Sequence, residues 1–257
     1  MPVALKGGCR VTTMREGVPE RSGSVTMWRQ VDRSAGAQAI SLRVIEFAHG
    51  LAPRLRADDC DEVLYVLEAS GEETTVSIEG WRYSLEPETG IYVRPGETYT
   101  VENRGAEPVV LLSSQCPEPR NSFLRVSPST APNLSVEQPV RTVRLRDRRA
   151  VTTSDRWYRV LVDEELGSTQ VTQFVGSIPP GRSPDHFHEY EEVLFVLRGT
   201  GTMWAGDTNA PIGPGSCIYL PKRQVHCVEN TGVGELRLLG VFYPAGSPSV
   251  SYEAPKK

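Results

Sequence analysis

The chain repeats itself, and the repeat limits what it can fold into more than any other feature. DEVLYVLEASG at 61–71 matches EEVLFVLRGTG at 191–201 with an offset of 130, and IYVRPGETYTVENRG at 91–105 matches IYLPKRQVHCVENTG at 218–232 with an offset of 127. One supersecondary plan is therefore used twice in 257 residues, and each copy has about the 100–150 residues that domains commonly reach. The second copy is three residues shorter between the two blocks. Loop-length variation between paired strands absorbs such a difference at small cost.

Each copy reads as short strands joined by turns. SLRVIEFA, EVLYVLE, TVSIEG, GIYVRP, TQVTQFVGSI, EVLFVLRG, SCIYLP and ELRLLGVFY are rich in Val, Ile, Tyr and Phe and bounded by Gly or Pro, the composition of strands on a pleated surface. Helical periodicity is scarce, so the expected class is all-β, as barrels or sandwiches. CPEPRNSFLRVSPSTAPNLSVEQPV at 116–140 is rich in Pro, Ser and Asn and falls between the copies as a linker would. The expected organisation is an N-terminal barrel over 1–118, a linker over 119–140 and a C-terminal barrel over 141–257. RTVRLRDRR at 141–149 carries five arginines, and their alternation with Val143 and Leu145 fits a half-exposed strand better than an anion site.

A net charge of -4 with dispersed Lys and Arg gives no basic footprint for nucleic acid. A small molecule is the expected partner. No apolar run approaches the roughly 20 residues that span a bilayer, and the first residues lack a signal-peptide pattern. Cys9, Cys60, Cys116, Cys217 and Cys227 are odd in number and form no C-x-x-C pair, which suits a reducing compartment. The expected location is cytoplasmic.

The second copy concentrates the chemistry. GRSPDHFHEYEEVLFVLRG supplies His186, His188 and Glu192, and LPKRQVHCVEN supplies His226. Side chains two apart in a strand share a face, so His186 and His188 point together while Phe187 points away. Three imidazoles and a carboxylate suit Fe(II), Mn, Ni, Cu or Zn rather than the all-oxygen shell of Ca or Mg. Three of the four histidines in the chain fall in this pattern. Cys227 follows His226 directly, but neighbouring strand residues face opposite sides, so the thiol is expected to point away.

The run Gly181, His186, His188, Glu192, Gly199, followed by Gly215, Pro221, His226 and Asn230, resembles the two sequence motifs of the cupin superfamily. That resemblance extends over about residues 40–113 and 155–245 and implies two tandem cupin barrels (double-stranded β-helix, or jelly roll), a bicupin. It also implies one divalent transition metal on His186, His188, Glu192 and His226. Two departures touch no ligand: the first Gly-to-His gap is one residue short, and Arg223 stands where the motif often has Gly.

The first copy lacks the set. Arg56 and Asp58 occupy the positions of the two histidines and Tyr99 that of His226, leaving Glu62 alone. The acidic turn at Asp58, Asp59, Asp61 and Glu62 reads as solvated rather than as a calcium or magnesium site. Barrels of this family commonly pair through their sheets, a role the duplication supplies within one chain, and a homo-oligomer remains compatible with it.

Four protein ligands leave one or two positions on the metal for a chelating substrate or dioxygen. The leading expectation is an Fe(II)-type dioxygenase, an oxidoreductase acting on a small oxygenated organic compound, with Glu192 as the most labile ligand and the catalytic base. The alternative is a non-redox isomerase, decarboxylase or hydrolase using Mn, Ni or Zn. A non-enzymatic small-molecule binder is the third reading. Thr172, Phe174 and Gly176 share one strand face and Val171, Gln173 and Val175 the other. Trp204 and Tyr219 lie on neighbouring strands, and packing is the expected role of each.

Overall fold

The structure, a computed structural model, describes residues 1–56, 59–70, 73–117, 137–153, 155–250 and the backbone of 252–253. Asp58 and most of the expected linker lie outside the described residues. The chain forms two tandem β-barrels, each closed by a large and a small antiparallel sheet. The large sheet of the first barrel orders Thr142–Arg144, Thr89–Val93, Asp61–Glu68, Val109–Cys116, Leu42–Phe47, Val25–Val31 and Glu20–Ser22. Its small sheet is built on Thr74–Ile78 and Thr98–Asn103. The second barrel repeats the plan, with Ser216–Leu220, Glu191–Arg198, Leu236–Tyr243, Thr172–Ile178 and Arg156–Val162 adjacent in the large sheet. Gly181–Arg182, Cys227–Asn230, Gly201–Ala205 and Thr208–Ile212 form its small one.

Strand burial follows from where each sheet sits. Thr74–Ile78 and Gly201–Ala205 alternate buried and half-buried residues, the pattern of a sheet with one face in solvent. Asp61–Glu68 and Glu191–Arg198 are buried on both faces over six residues, because the two large sheets also pack against each other. Tyr65, Tyr92, Phe195, Tyr219 and Val175 belong to that shared apolar layer. Separate clusters fill the interiors of the first and second barrels.

Two buried carboxylates at equivalent positions fasten the layer. Glu191 accepts hydrogen bonds from the Gln38 and Ala39 amides (3.0 and 2.7 Å) and from the Tyr219 hydroxyl (2.8 Å). Asp61 accepts from the Tyr92 hydroxyl and from Gln170 Nε2, the latter at 3.0 Å. Each satisfies its charge with donors, two from the opposite barrel for Glu191 and one for Asp61, as a buried acid requires.

Strand pairing crosses the boundaries expected from the sequence. Arg10–Thr13 precedes the first barrel yet pairs with Ser216–Leu220 of the second, and Thr142–Arg144 precedes the second yet pairs with Thr89–Val93 of the first. Each barrel thus lends a strand that covers the exposed edge of the other, edges that would otherwise present unpaired backbone groups. Four of the five arginines of 141–149 are engaged: Arg141 pairs with Glu97, Arg144 and Arg146 with Glu86, and Arg148 with Glu165.

The three-residue difference between the copies lies in the link from the large sheet to the small one, five residues between Glu68 and Thr74 in the first barrel and Gly199 and Thr200 in the second. Gly199 has φ +85°, and a Cβ there would stand 2.6 Å from the Glu235 carbonyl oxygen. The shorter turn therefore needs glycine. Five buried cysteines are free thiols.

Candidate metal centre

His186 and His226 sit opposite each other and exchange both backbone hydrogen bonds, at 3.0 and 2.8 Å. This pairing brings the later histidine beside the earlier pair, and ring centroids of the three imidazoles lie 4.5 to 5.2 Å apart. One potential ligand atom from each falls within 4.8 Å of the others. Glu192, near the start of Glu191–Arg198, places Oε2 at 3.7 Å from His188 Nε2. His188, Glu192 and His226 are each less than a tenth exposed.

Backbone carbonyls fix the tautomer of all three rings. Nδ1–H of His186 donates to Pro184 O (2.9 Å), that of His188 to Val250 O (3.1 Å) and that of His226 to Gln224 O (2.8 Å). A carbonyl only accepts, so Nδ1 carries the proton and Nε2 of the neutral ring keeps its lone pair for the site. Burial keeps the rings neutral, lowering His188 to about 4 and His226 to about 3, with His186 pushing both further down. His186 is lowered too, by burial and by the charge of Arg156. Burial raises Glu192 to about 8.

The cluster that the structure brings together is three neutral imidazoles, and Glu192, an acid that can give up a proton to a cation, stands beside it at His188. That is the composition a divalent transition metal requires, and the residues fit such an ion. Tyr190 stacks on His188 at 4.6 Å and 8°, and on Phe242 at 4.3 Å and 18°, so a continuous aromatic stack holds the His188 plane.

Arg223, which replaces the expected glycine, has φ +64°. Its amide donates to His188 O at 2.8 Å and its guanidinium Nε lies 2.9 Å from both oxygens of Glu189. The turn keeps its left-handed conformation, held by these contacts.

A cavity of about 320 Å³ opens beside the imidazoles. Phe174 and Gly176 line it with Ile178, whereas Val171 and Val175 face the shared layer. Tyr219 turns to Glu191. Trp204 lies under the Arg182 guanidinium at 4.4 Å. The Cys227 thiol is fully buried and accepts from Arg182 Nε at 3.2 Å, and it is not among the cavity-lining residues.

Sequence reasoning missed Arg156, Trp157 and Tyr158, which line the cavity, and Tyr190. Extending the repeat to the preceding hairpin finds the first three: Met27 pairs with Ile45 as Tyr158 pairs with Gly176, an offset of 131.

The first barrel shows what replaces such a centre. Glu62 accepts from Tyr99 Oη (3.0 Å), Ser113 Oγ (2.6 Å) and Gln115 Nε2 (3.1 Å), and Arg43 NH2 stands 3.6 Å from it. The positive charge facing this glutamate is a guanidinium. Asp61 and Glu62 are thus committed to protein partners.

Residues 174–242 match the family model described as Cupin domain. Auxin-binding protein 1 of Arabidopsis thaliana is 34% identical over 86 residues, covering 30% of this chain and 43% of that protein. An oxalate-binding protein of Thermotoga maritima is 34% identical over 67 residues, covering 25% of this chain and 55% of that protein. The chain spans about half the length of these curated relatives. Among solved structures, a mutant of Bacillus subtilis oxalate decarboxylase superimposes with a TM-score of 0.73, over 95% of this chain and 78% of that one, at 14% identity. A structure described for the Mn(II) centres of that enzyme matches equally. At this identity the likeness is one of fold, and it extends over both barrels. Among the described residues no helix is long and apolar enough to cross a membrane.

Proposed function

We propose that this chain, a two-barrel member of the cupin superfamily, is a metal-dependent decarboxylase of a 3-oxo carboxylate, with His186, His188, Glu192 and His226 as the ligands of one divalent ion. The observation that carries the reading is the set of three Nδ1–H···O=C bonds, which commit three Nε2 lone pairs to one buried spot. A bound divalent ion would polarise the substrate carbonyl as a Lewis acid.

This chain's residues do the rest. The apolar cavity walls exclude water from the carboxylate, which favours its loss as CO₂. The C–CO₂ bond breaks, its electron pair passes into the adjacent carbonyl, and the carbon then takes a proton. Glu192, 3.7 Å from His188 Nε2, is ionised while it serves as a ligand; as the most labile of the four it would leave the ion, take up a proton from solvent and deliver it to that carbon. The reaction consumes one proton and needs no oxidant.

What supports decarboxylation is this donor set together with the likeness of the whole fold to a decarboxylase. Manganese is the proposed ion, since the matched enzyme is described with Mn(II). The iron dioxygenase is the second reading, because an apolar chamber of about 320 Å³ admits dioxygen beside a substrate. Loading the protein with Mn(II) or Fe(II) and measuring CO₂ release and oxygen uptake on 3-oxo acids separates the two. Anaerobic CO₂ release with Mn(II), lost in Glu192→Gln, is expected. Turnover that requires oxygen and iron would replace decarboxylation with dioxygenation.

A further inference from the structure

The second barrel is hollow where the first is solid, and the aligned strands show which side chains make the difference. At the offset of 131, Val25, Arg43 and Ile45 of the first barrel correspond to Arg156, Phe174 and Gly176 of the second. Ser113 and Gln115 correspond to Gly240 and Phe242. The space around Glu62 is about 10 Å³, against about 320 Å³ beside Glu192. Replacing Ile45 by Gly176 removes a side chain from the interior. Replacing Ser113 by Gly240 admits the Phe174 ring, since a Cβ on Gly240 would lie 2.3 Å from Phe174 Cε1.

Charge and polarity change in the same direction. The first barrel fills its interior with Arg43, Ser113 and Gln115, all of which face Glu62. Their counterparts in the second barrel are apolar or absent, and Leu194, Val228 and Leu238 extend the apolar wall. One guanidinium, Arg156, has come in at the lining, 32% exposed. A volume of this size belongs to sites for ligands well above a few atoms, which usually occupy roughly 300–1,000 Å³.

We infer that the chamber selects a carboxylate carrying a ring-sized apolar body over a two-carbon diacid, with its anionic end toward the three imidazoles and Arg156 and its body against Phe174, Leu194 and Leu238. The inference rests on the metal-centre reading above and specifies its substrate class. A two-carbon diacid would leave apolar walls facing water, whereas each methylene-sized group buried there is worth about fourfold in affinity. A phenyl ring is therefore expected to gain at least about tenfold.

The test is a visible-absorbance titration of the Co(II)-loaded protein with benzoylformate, glyoxylate and oxalate. All three place a carboxylate beside a second oxygen and need no turnover to be read. Benzoylformate is expected to bind at least about tenfold more tightly than the other two. Gly176→Ile, which restores the first barrel's side chain, is expected to retain Co(II) and glyoxylate while losing the preference for benzoylformate. Should that variant fail to take up Co(II), Leu238→Phe narrows the same wall and serves in its place. Arg156→Gln is expected to weaken all three anions about fivefold.

Oxalate binding as tight as benzoylformate, or a Gly176→Ile preference equal to that of the parent, would overturn the inference. A ring-bearing ligand that binds this way in a protein that decarboxylates nothing would remove only the decarboxylase reading. Failure to take up Co(II) at all would remove both.

Discussion

The metal-free protein should lose stability as pH rises from 6.5 to 8, and one carboxyl group should account for the loss. Burial raises Glu192 from 4.5 to about 8, so the fold favours its neutral form. That contribution is complete below pH 4.5 and is lost as pH climbs through 8. The imidazoles act oppositely: His188 and His226 are lowered to about 4 and about 3, so their stabilisation is complete above 6.5 and lost as pH falls through those values. The two effects oppose each other between 4.5 and 6.5, and above 6.5 Glu192 acts alone. One proton over 1.5 pH units, at about 1.36 kcal/mol each, is about 2 kcal/mol. For a chain of this size that corresponds to roughly 4–8 °C in melting temperature. Thermal melts of EDTA-treated protein at pH 6.5 and 8, beside Glu192→Gln, measure it. The variant cannot ionise there and should lack this component, and metal-loaded protein should lack it because a cation favours the ionised carboxylate. Equal losses in parent and variant would refute the reasoning.

Three further outcomes follow from single contacts. Tyr190→Leu removes the stack on His188 and should weaken metal affinity about tenfold in a chelator competition. Arg43→Met leaves Glu62 buried without its cation and should cost about 3–5 kcal/mol in denaturant unfolding. Arg43→Met with Glu62→Gln should recover most of it, and metal content should not change in either. Removing residues 1–13 uncovers the edge of Ser216–Leu220 and deletes Leu5, Cys9 and Val11 from the second barrel's core, so size-exclusion chromatography should show self-association.

Much of this architecture is legible in the chain because a period-2 strand makes facing directly readable. The H-x-H spacing set His186 and His188 on one side, and the repeat set Arg56 and Tyr99 against the ligand positions of the second copy. Residues 141–149 read as a half-exposed strand, but the exchange of edges is not legible, because Arg10–Thr13 and Thr142–Arg144 are short and their partners lie some 200 and 50 residues away. Pairing over such distances leaves no local pattern. Arg156 and Tyr190 escaped for another reason: an arginine at a strand start and a tyrosine in a turn read as surface residues. Only the third dimension shows one lining a cavity and the other held between His188 and Phe242.

The position of the ion decides which barrel carries the chemistry. Elemental analysis of the purified chain, beside a His186→Ala, His188→Ala variant and an Arg43→Ala variant, tests this most directly. About one divalent metal per chain in the parent and in Arg43→Ala, and close to none in the double variant, is the predicted result. Equal metal in the parent and the histidine variant, or loss of metal on changing Arg43 alone, would contradict it.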